Sequence, residues 1–230
     1  LQKSEEITET HQQIVSQKKS LSFFDLFMNY CKVYLILPIF GQLDIPLKDG
    51  TLFPFMADLG VEILANLFYL GEQAQYSFYT YNSFFAIAHL LQNSDKTHIT
   101  FNLYMRYFNL LGMISCKNLQ MQLIDAILLN YDLWSRSELK HQMRIFKHWS
   151  RTVYVPFKYM IDLIRPLEWF IFIIHNYYHN NHDDERQLFD CRKSLFEIVK
   201  ESFKSKLSEN HILIICQLIC ADESTLLEKK

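Results

Sequence analysis

Three histidines in the C-terminal half have a spacing that could bind a metal ion. His175, His179 and His182 stand at positions i, i+4 and i+7, and Asp183 and Asp184 follow directly. On an unbroken helix this spacing places imidazoles on one face, where they could act as metal ligands. The polar run after His179 indicates instead that the helix ends there, which breaks the alignment. We therefore interpret these residues as a polar helix end and predict no metal or other cofactor.

A second pattern is a basic stripe, which we define as Lys140, Arg144, Lys147 and Arg151. These residues recur at i, i+4, i+7 and i+11, so one helix would present them opposite its apolar face. Such a stripe could bind phosphoinositide headgroups, an acidic peptide or RNA phosphates. A solvated helix face without a ligand is the simpler alternative. Our hypothesis is that the basic stripe is a partner-binding site for an acidic peptide or an acidic membrane.

Signatures of catalysis are missing from the sequence. It contains no HExxH, no GxSxG and no phosphate-binding P-loop. The carboxylates lie mainly on polar faces or at helix starts, where capping explains them. Trp134, Trp149 and Trp169 could line a pocket, but each lies in or beside an apolar helical pattern, so we interpret them as core residues. We predict that the chain is not an enzyme.

The composition favours helices. Half of the 230 residues are hydrophobic and 21% are charged, which is typical of a globular chain. There are only 5 glycines and 5 prolines, whereas turn-rich β folds need more of both. The net charge of −2 argues against a general nucleic-acid binder, which usually carries a strong positive excess. The sequence predicts an all-α protein with no specific nucleic-acid ligand.

The cysteines and the apolar runs indicate a cytoplasmic protein. The five cysteines are scattered in apolar runs without a C-x-x-C, which predicts buried thiols in a reducing compartment. No segment approaches the ~20 apolar residues that cross a bilayer. The polar N-terminus is unlike a signal peptide. Because the chain begins with leucine, we expect it to be part of a longer protein.

Local signals predict where several helices begin and end. Pro54 opens one helix and Gly71 ends it, in the positions that these residues favour. A further helix is predicted over 73–92. Thr97 is the predicted N-cap of the next helix. The spacing of Ser135 and Glu138 predicts a capping box before the helix that carries the basic stripe.

These elements predict an irregular armadillo- or HEAT-like α-solenoid of about ten helices. A fresh helix pair is expected about every 40 residues, and each pair buries its apolar face against the next. A compact helical bundle is the competing architecture. We expect a polar lead-in over residues 1–20, a helical-repeat domain over 21–220 and a polar tail over 221–230.

Two stretches resemble a known family. They read LIDAILLNYDLWSRSELKHQMRIFKHWSR (123–151) and LIRPLEWFIFIIHNYYHNN (163–181). This pattern is similar to the α-solenoid region that precedes the PH and BEACH modules of neurobeachin-like BEACH-domain proteins. The positions that carry the resemblance are Leu133, Trp134, Phe146, Arg165, His175, Tyr177 and Tyr178. The resemblance implies a large cytoplasmic protein of vesicle trafficking, membrane dynamics or autophagy.

Three functions remain open from the sequence. The first is a non-catalytic scaffold segment of a BEACH-like protein that mediates protein interactions in vesicle and membrane trafficking. The second is an armadillo- or HEAT-like adaptor of another large cytoplasmic assembly. The third is a small helical enzyme or metal-binding protein built around His175 and His179. Protein partners are expected for the first two, and peripheral contact with a membrane is an option for the first.

Overall fold

Helices make up most of the part of the chain that the computed structural model describes. This part comprises residues 36–46, 50–53, 55–164, 167–178, 185–203, 212–213 and 216, and it contains no β-strand. The predicted all-α class is therefore confirmed. The predicted lead-in, the predicted helix start at Pro54 and the predicted tail lie outside the described residues.

The described residues form eleven α-helices joined by short loops. They are α1 (Leu37–Gly41), α2 (Met56–Leu70), α3 (Glu72–Thr80), α4 (Ser83–Asn93), α5 (Phe101–Met113), α6 (Lys117–Leu123), α7 (Tyr131–Trp134), α8 (Leu139–His148), α9 (Tyr154–Ile164), α10 (Leu167–Tyr178) and α11 (Glu185–Phe203). A 3₁₀ turn (Lys96–His98) precedes α5. Two π-helical turns, Ile124–Leu128 and Trp149–Val153, directly follow α6 and α8. The predicted number of about ten helices is confirmed.

The helix predicted over 73–92 is in fact two helices. The chain leaves α3 at Thr80 and enters α4 at Ser83, and between them Asn82 adopts a left-handed conformation with φ of 51°. Asparagine tolerates this conformation better than most residues, so the break costs little. The predicted C-cap at Gly71 is confirmed, since α2 ends there.

The N-cap of α5 is Thr100 rather than the predicted Thr97. The hydroxyl of Thr100 accepts a hydrogen bond from the amide of Leu103 at 3.1 Å. Thr97 lies one turn earlier, inside the 3₁₀ turn, where its amide donates to the carboxylate of Asp95 at 2.8 Å. Sequence alone does not distinguish two threonines three residues apart, because both have the correct chemistry for a cap.

The capping box predicted at Ser135 and Glu138 is wrong. Glu138 itself occupies the N-cap position of α8, and its side chain makes no capping hydrogen bond. The Glu138 carboxylate instead pairs with Lys140. The buried amide of Gln142 holds this turn, because its Nε2 donates to the carbonyls of Ser135 and Ser137 at 3.0 and 2.7 Å.

Six pairs of described helices join a helix to the one three positions later in the chain. The pairs are α1 with α4, α2 with α5, α3 with α6, α4 with α7, α5 with α8, and α8 with α11. We call α2, α5, α8 and α11 the central column. Side-chain hydrogen bonds between the layers join residues 38 to 45 positions apart. The predicted period of about 40 residues is confirmed, but each period holds three helices rather than two.

Large aromatic side chains fill the space between successive layers. Trp134 and Trp149 are fully buried, and the ring of Tyr104 on α5 lies 5.2 Å from that of Trp134. Trp169 is half-buried and lies 6.3 Å from Trp149. The interpretation of the tryptophans as core residues is therefore confirmed for Trp134 and Trp149, and Trp169 packs at the edge of the same core.

The described cysteines differ in exposure. Cys191 on α11 is buried, and burial raises the pKa of its thiol to about 12. Cys116 is half-buried and Cys216 is exposed, so the expectation of buried thiols is wrong for Cys216. Both of the other cysteines lie outside the described residues.

Candidate partner-binding groove

All four residues of the basic stripe are exposed to solvent. Lys140, Arg144 and Lys147 lie on α8, and Arg151 lies in the π-helical turn that follows it. The opposite side of α8 buries Ile145 and Phe146, and the helix packs against α5 and α11. The amphipathic pattern of this helix therefore exposes Lys140, Arg144 and Lys147 to solvent, and the π-helical turn exposes Arg151.

The first two residues of the stripe already have partners within the fold. The Lys140 ammonium pairs with the Glu138 carboxylate, and this contact lowers the pKa of Glu138. The Arg144 guanidinium lies 4.1 Å from the centroid of the Phe101 ring at the start of α5. This distance is typical of a cation–π contact. Both cations are therefore less available to a ligand than their spacing suggests.

Two histidines beside the stripe join α8 to α5. The amide of Phe101 donates to Nδ1 of His141 at 3.3 Å, which satisfies one amide at the start of α5. The His148 ring lies 4.5 Å from the Phe108 ring and 5.8 Å from the Tyr104 ring, both edge-on. Burial lowers the pKa of both histidines. For His148 it is the cause of the shift, and for His141 it is the largest of several causes. Both histidines are structural contacts between neighbouring layers.

The other two residues of the stripe line a groove between α8 and α11, which we call the α8–α11 groove. It has a volume of about 180 Å³. Its lining residues are Met143, Lys147, Ser150, Arg151, Asp190, Lys193, Ser194 and Glu197. Lysine and arginine from one layer thus face a lysine from the next layer across a shallow concave surface.

Within the described part of the chain, the three cations of the α8–α11 groove are unpaired. Among the residues that the structure describes, no ion pair involves Lys147, Arg151 or Lys193. Of the two carboxylates, that of Glu197 lies 3.7 Å from the ammonium of Lys200 outside the groove. The groove therefore has a positive excess and mixed polar chemistry, which suits a ligand that carries acidic groups.

The spacing of residues along the sequence does not connect Lys193 with the basic stripe. Only the packing of α8 against α11 brings it to the same groove as Lys147 and Arg151. Residues about one repeat period apart lie on neighbouring layers, so the period indicates in general which residues can meet. It does not indicate that Lys193 meets Lys147, because that pairing depends on the three-helix repeat.

A larger surface depression lies at the end of α4, but its polar groups serve the fold. It has a volume of about 720 Å³ and includes Asp44, Asp95 and Arg136 in its lining. The Arg136 guanidinium donates to three carbonyls at the end of α4, including that of Leu91 at 2.8 Å. The Asp44 carboxylate accepts from the amide of Asp95 at 2.8 Å. These contacts explain the polar residues without a ligand.

The predicted histidine cluster is only partly described. His175 lies in the last turn of α10, whereas His179, His182 and the acidic pair lie outside the described residues. Within the described residues, no group of three histidine, cysteine or acidic side chains could hold a metal ion. None of the described helices is both long enough and apolar enough to cross a membrane.

Comparison with known proteins identifies the family. The model described as "Neurobeachin/BDCP, DUF4704 alpha solenoid region" matches residues 33–221, which is most of the chain. The chain belongs to the neurobeachin α-solenoid family. The BEACH-family resemblance is therefore confirmed, as is the α-solenoid fold. No curated protein and no solved structure matches the chain.

Membership in the neurobeachin α-solenoid family fits the positions that carry the resemblance. Leu133, Trp134 and Phe146 are buried in the core of the described structure. Tyr177 and Tyr178 lie at the end of α10, and Arg165 lies outside the described residues. The family pattern is thus in part a pattern of core residues that join the layers of the stack.

Proposed function

We propose that this chain is a non-catalytic scaffold segment of a large neurobeachin-like protein that mediates protein interactions in vesicle and membrane trafficking. Its place of action is the cytoplasm, with peripheral contact to membranes. The family match favours this function over that of an adaptor in an unrelated assembly. Of the basic stripe, Lys147 and Arg151 remain the proposed partner-binding residues of this scaffold, because Lys140 and Arg144 already have partners within the fold.

The observation that carries the proposal is the central column of four stacked helices. α2, α5, α8 and α11 contact one another in succession, so the stack presents a series of helix faces rather than one enclosed cavity. Solenoids of this kind use extended surfaces to bind other proteins. Several large apolar side chains stay exposed on the described surface, among them Tyr69, Tyr76, Phe189 and Phe196. Exposed aromatic residues are enriched where proteins bind one another.

The distribution of shifted pKa values also supports a non-catalytic role. Tyr104 and Tyr107 both lie in the core, and burial is the largest cause that raises the pKa of each. The Asp58 carboxylate, whose pKa is also raised by burial, lies 3.0 Å from Nε of Arg106 in the contact between α2 and α5. A catalytic site gathers such groups in one cleft, whereas here they join neighbouring layers.

The test compares the folded chain with an unfolded control in cells. The full chain and its Trp149→Asp variant, which places a charge in the core, are each fused to a proximity-labelling enzyme. The proposal predicts that vesicle-trafficking proteins are labelled by the folded chain and lost with the variant. Equal labelling by both, or labelling restricted to another large assembly, would contradict the proposed function.

A further inference from the structure

Resting on the proposed scaffold function, we propose that the α8–α11 groove binds an acidic peptide segment of a partner protein. The groove gathers Lys147 and Arg151 from one layer and Lys193 from the next. This proposal identifies two residues of the basic stripe as ligand-binding and adds a third from α11. Lys140 and Arg144 remain structural contacts of α8 with its own turn and with α5.

The charges of the groove favour an acidic ligand. Its three cations form no ion pair among the described residues, so an incoming carboxylate need not displace an existing partner. Glu197 shares its charge with Lys200, which leaves Asp190 as the main competing carboxylate. A groove with a net positive charge attracts acidic groups and orients them.

The mixed chemistry of the groove fits a peptide better than a membrane surface. An extended peptide offers backbone N–H donors as well as acidic side chains, so its amides can meet Asp190 and Glu197 while its carboxylates meet the three cations. A layer of anionic headgroups has a net negative charge, which those two carboxylates oppose. A flat layer also matches a concave groove of about 180 Å³ less closely than a single extended chain does.

Exposed aromatic side chains next to the groove add a preference for one apolar residue. Phe189 and Phe196 lie four residues before and three residues after Lys193 on α11, so both neighbour it on the helix surface. They are 57% and 52% exposed. Met143 adds apolar surface within the groove itself. The ligand is therefore a peptide in which acidic residues flank a large apolar one.

The experiment measures fluorescence anisotropy of a short labelled peptide with Asp and Glu around a single Phe, titrated with the full 230-residue chain. A peptide of the same length, with the acids replaced by Asn and Gln, is the ligand control. We expect the acidic peptide alone to bind, and its affinity to fall as salt is raised. The double variant Lys147→Glu/Arg151→Glu and the single variant Lys193→Glu should each weaken binding by about tenfold or more.

The matched protein control is Lys140→Glu, which reverses a charge on the same helix outside the groove and should leave the affinity within about twofold. Circular dichroism checks that each variant is folded, and Gln replaces Glu in any variant that is not. Unchanged binding by the groove variants, or binding to phosphatidylserine vesicles but not to the peptide, would overturn this inference. If the Lys147→Glu/Arg151→Glu variant, fused to the same proximity-labelling enzyme, still labels the trafficking partners in cells, the groove proposal fails and the scaffold function stands.

Discussion

Arg136 makes a contact whose removal should measurably destabilise the stack. Its guanidinium donates hydrogen bonds to the carbonyls of Leu91, Gln92 and Ser94, at the C-terminal end of α4. The last carbonyls of a helix have no partner within the helix. Arg136 therefore supplies donors to the carbonyls of Gln92 and Ser94 from the turn before α8, more than 40 positions later in the chain. The Leu91 carbonyl also accepts from the amide and the hydroxyl of Ser94.

The size of the effect follows from the number and kind of bonds. Hydrogen bonds to a charged donor each contribute about 1.5–3 kcal/mol when desolvated, and less where water can replace the donor. Arg136 is half-buried, so water reaches some of the exposed carbonyls after its removal. We expect Arg136→Met to lower the free energy of unfolding by about 2–4 kcal/mol. Arg136→Lys should have an intermediate effect, because an ammonium cannot bridge the carbonyls as a planar guanidinium does.

Urea unfolding monitored by circular dichroism measures this change. Arg151→Met is the matched control, since it removes an exposed arginine without an ion pair among the described residues and should change stability by less than about 0.5 kcal/mol. Hydrogen exchange at the end of α4 provides a local readout in case the layers unfold in stages. Equal stability of the two variants, with unchanged exchange in α4, would refute the role assigned to Arg136.

Two further predictions concern the close contact of Gly60 with the Phe40 ring and the half-buried side chain of His148. A Cβ atom on Gly60 would lie 2.8 Å from the Phe40 ring, so Gly60→Ala should destabilise the chain by about 1–3 kcal/mol. A Cβ atom on Gly112, in α5, would have nothing within 4 Å, so Gly112→Ala should be neutral or stabilise by up to about 1 kcal/mol in the same urea assay. A larger loss of stability in Gly112→Ala than in Gly60→Ala would contradict the packing of α1 on α2. Burial lowers the pKa of His148 from its ordinary value of 6.5, so the unfolded chain takes up a proton first and stability falls as the pH drops below that value. The urea midpoints at about pH 7.5 and about pH 5.5 should therefore differ less in His148→Phe than in the parent chain. An equal reduction of this difference in His89→Phe, which replaces an exposed histidine, would count against the burial of His148 as the cause.

The helical class and much of the core could be predicted from the sequence because helical periodicity is a strong local signal. Leu103, Tyr107 and Leu110 recur at helical spacing and are all buried. Gly71 ends α2 at the predicted position. The period of about 40 residues could also be predicted, since about ten helices over residues 21–220 give one helix pair about every 40 residues.

The break between α3 and α4 and the composition of the groove could not be predicted in the same way. The break depends on one left-handed residue, Asn82, within a stretch whose apolar spacing continues through it. The contact of Arg144 with the Phe101 ring forms only when layers about 40 residues apart pack together. The same packing is needed for Lys193 and Lys147 to line one groove. Such contacts depend on tertiary geometry, which the spacing within one helix does not contain.

Hydrogen–deuterium exchange on a Leu195→Ala variant tests most directly that the helices form a stack in which each layer depends on its neighbours. Leu195 is fully buried on α11, and removing its side chain should cost about 2–5 kcal/mol locally. The stacked architecture predicts faster exchange in α11 and α8, a smaller change in α5, and unchanged exchange in α2 and α3. A uniform rise in exchange over all described helices would indicate a single cooperative bundle and would contradict the solenoid on which the scaffold function depends.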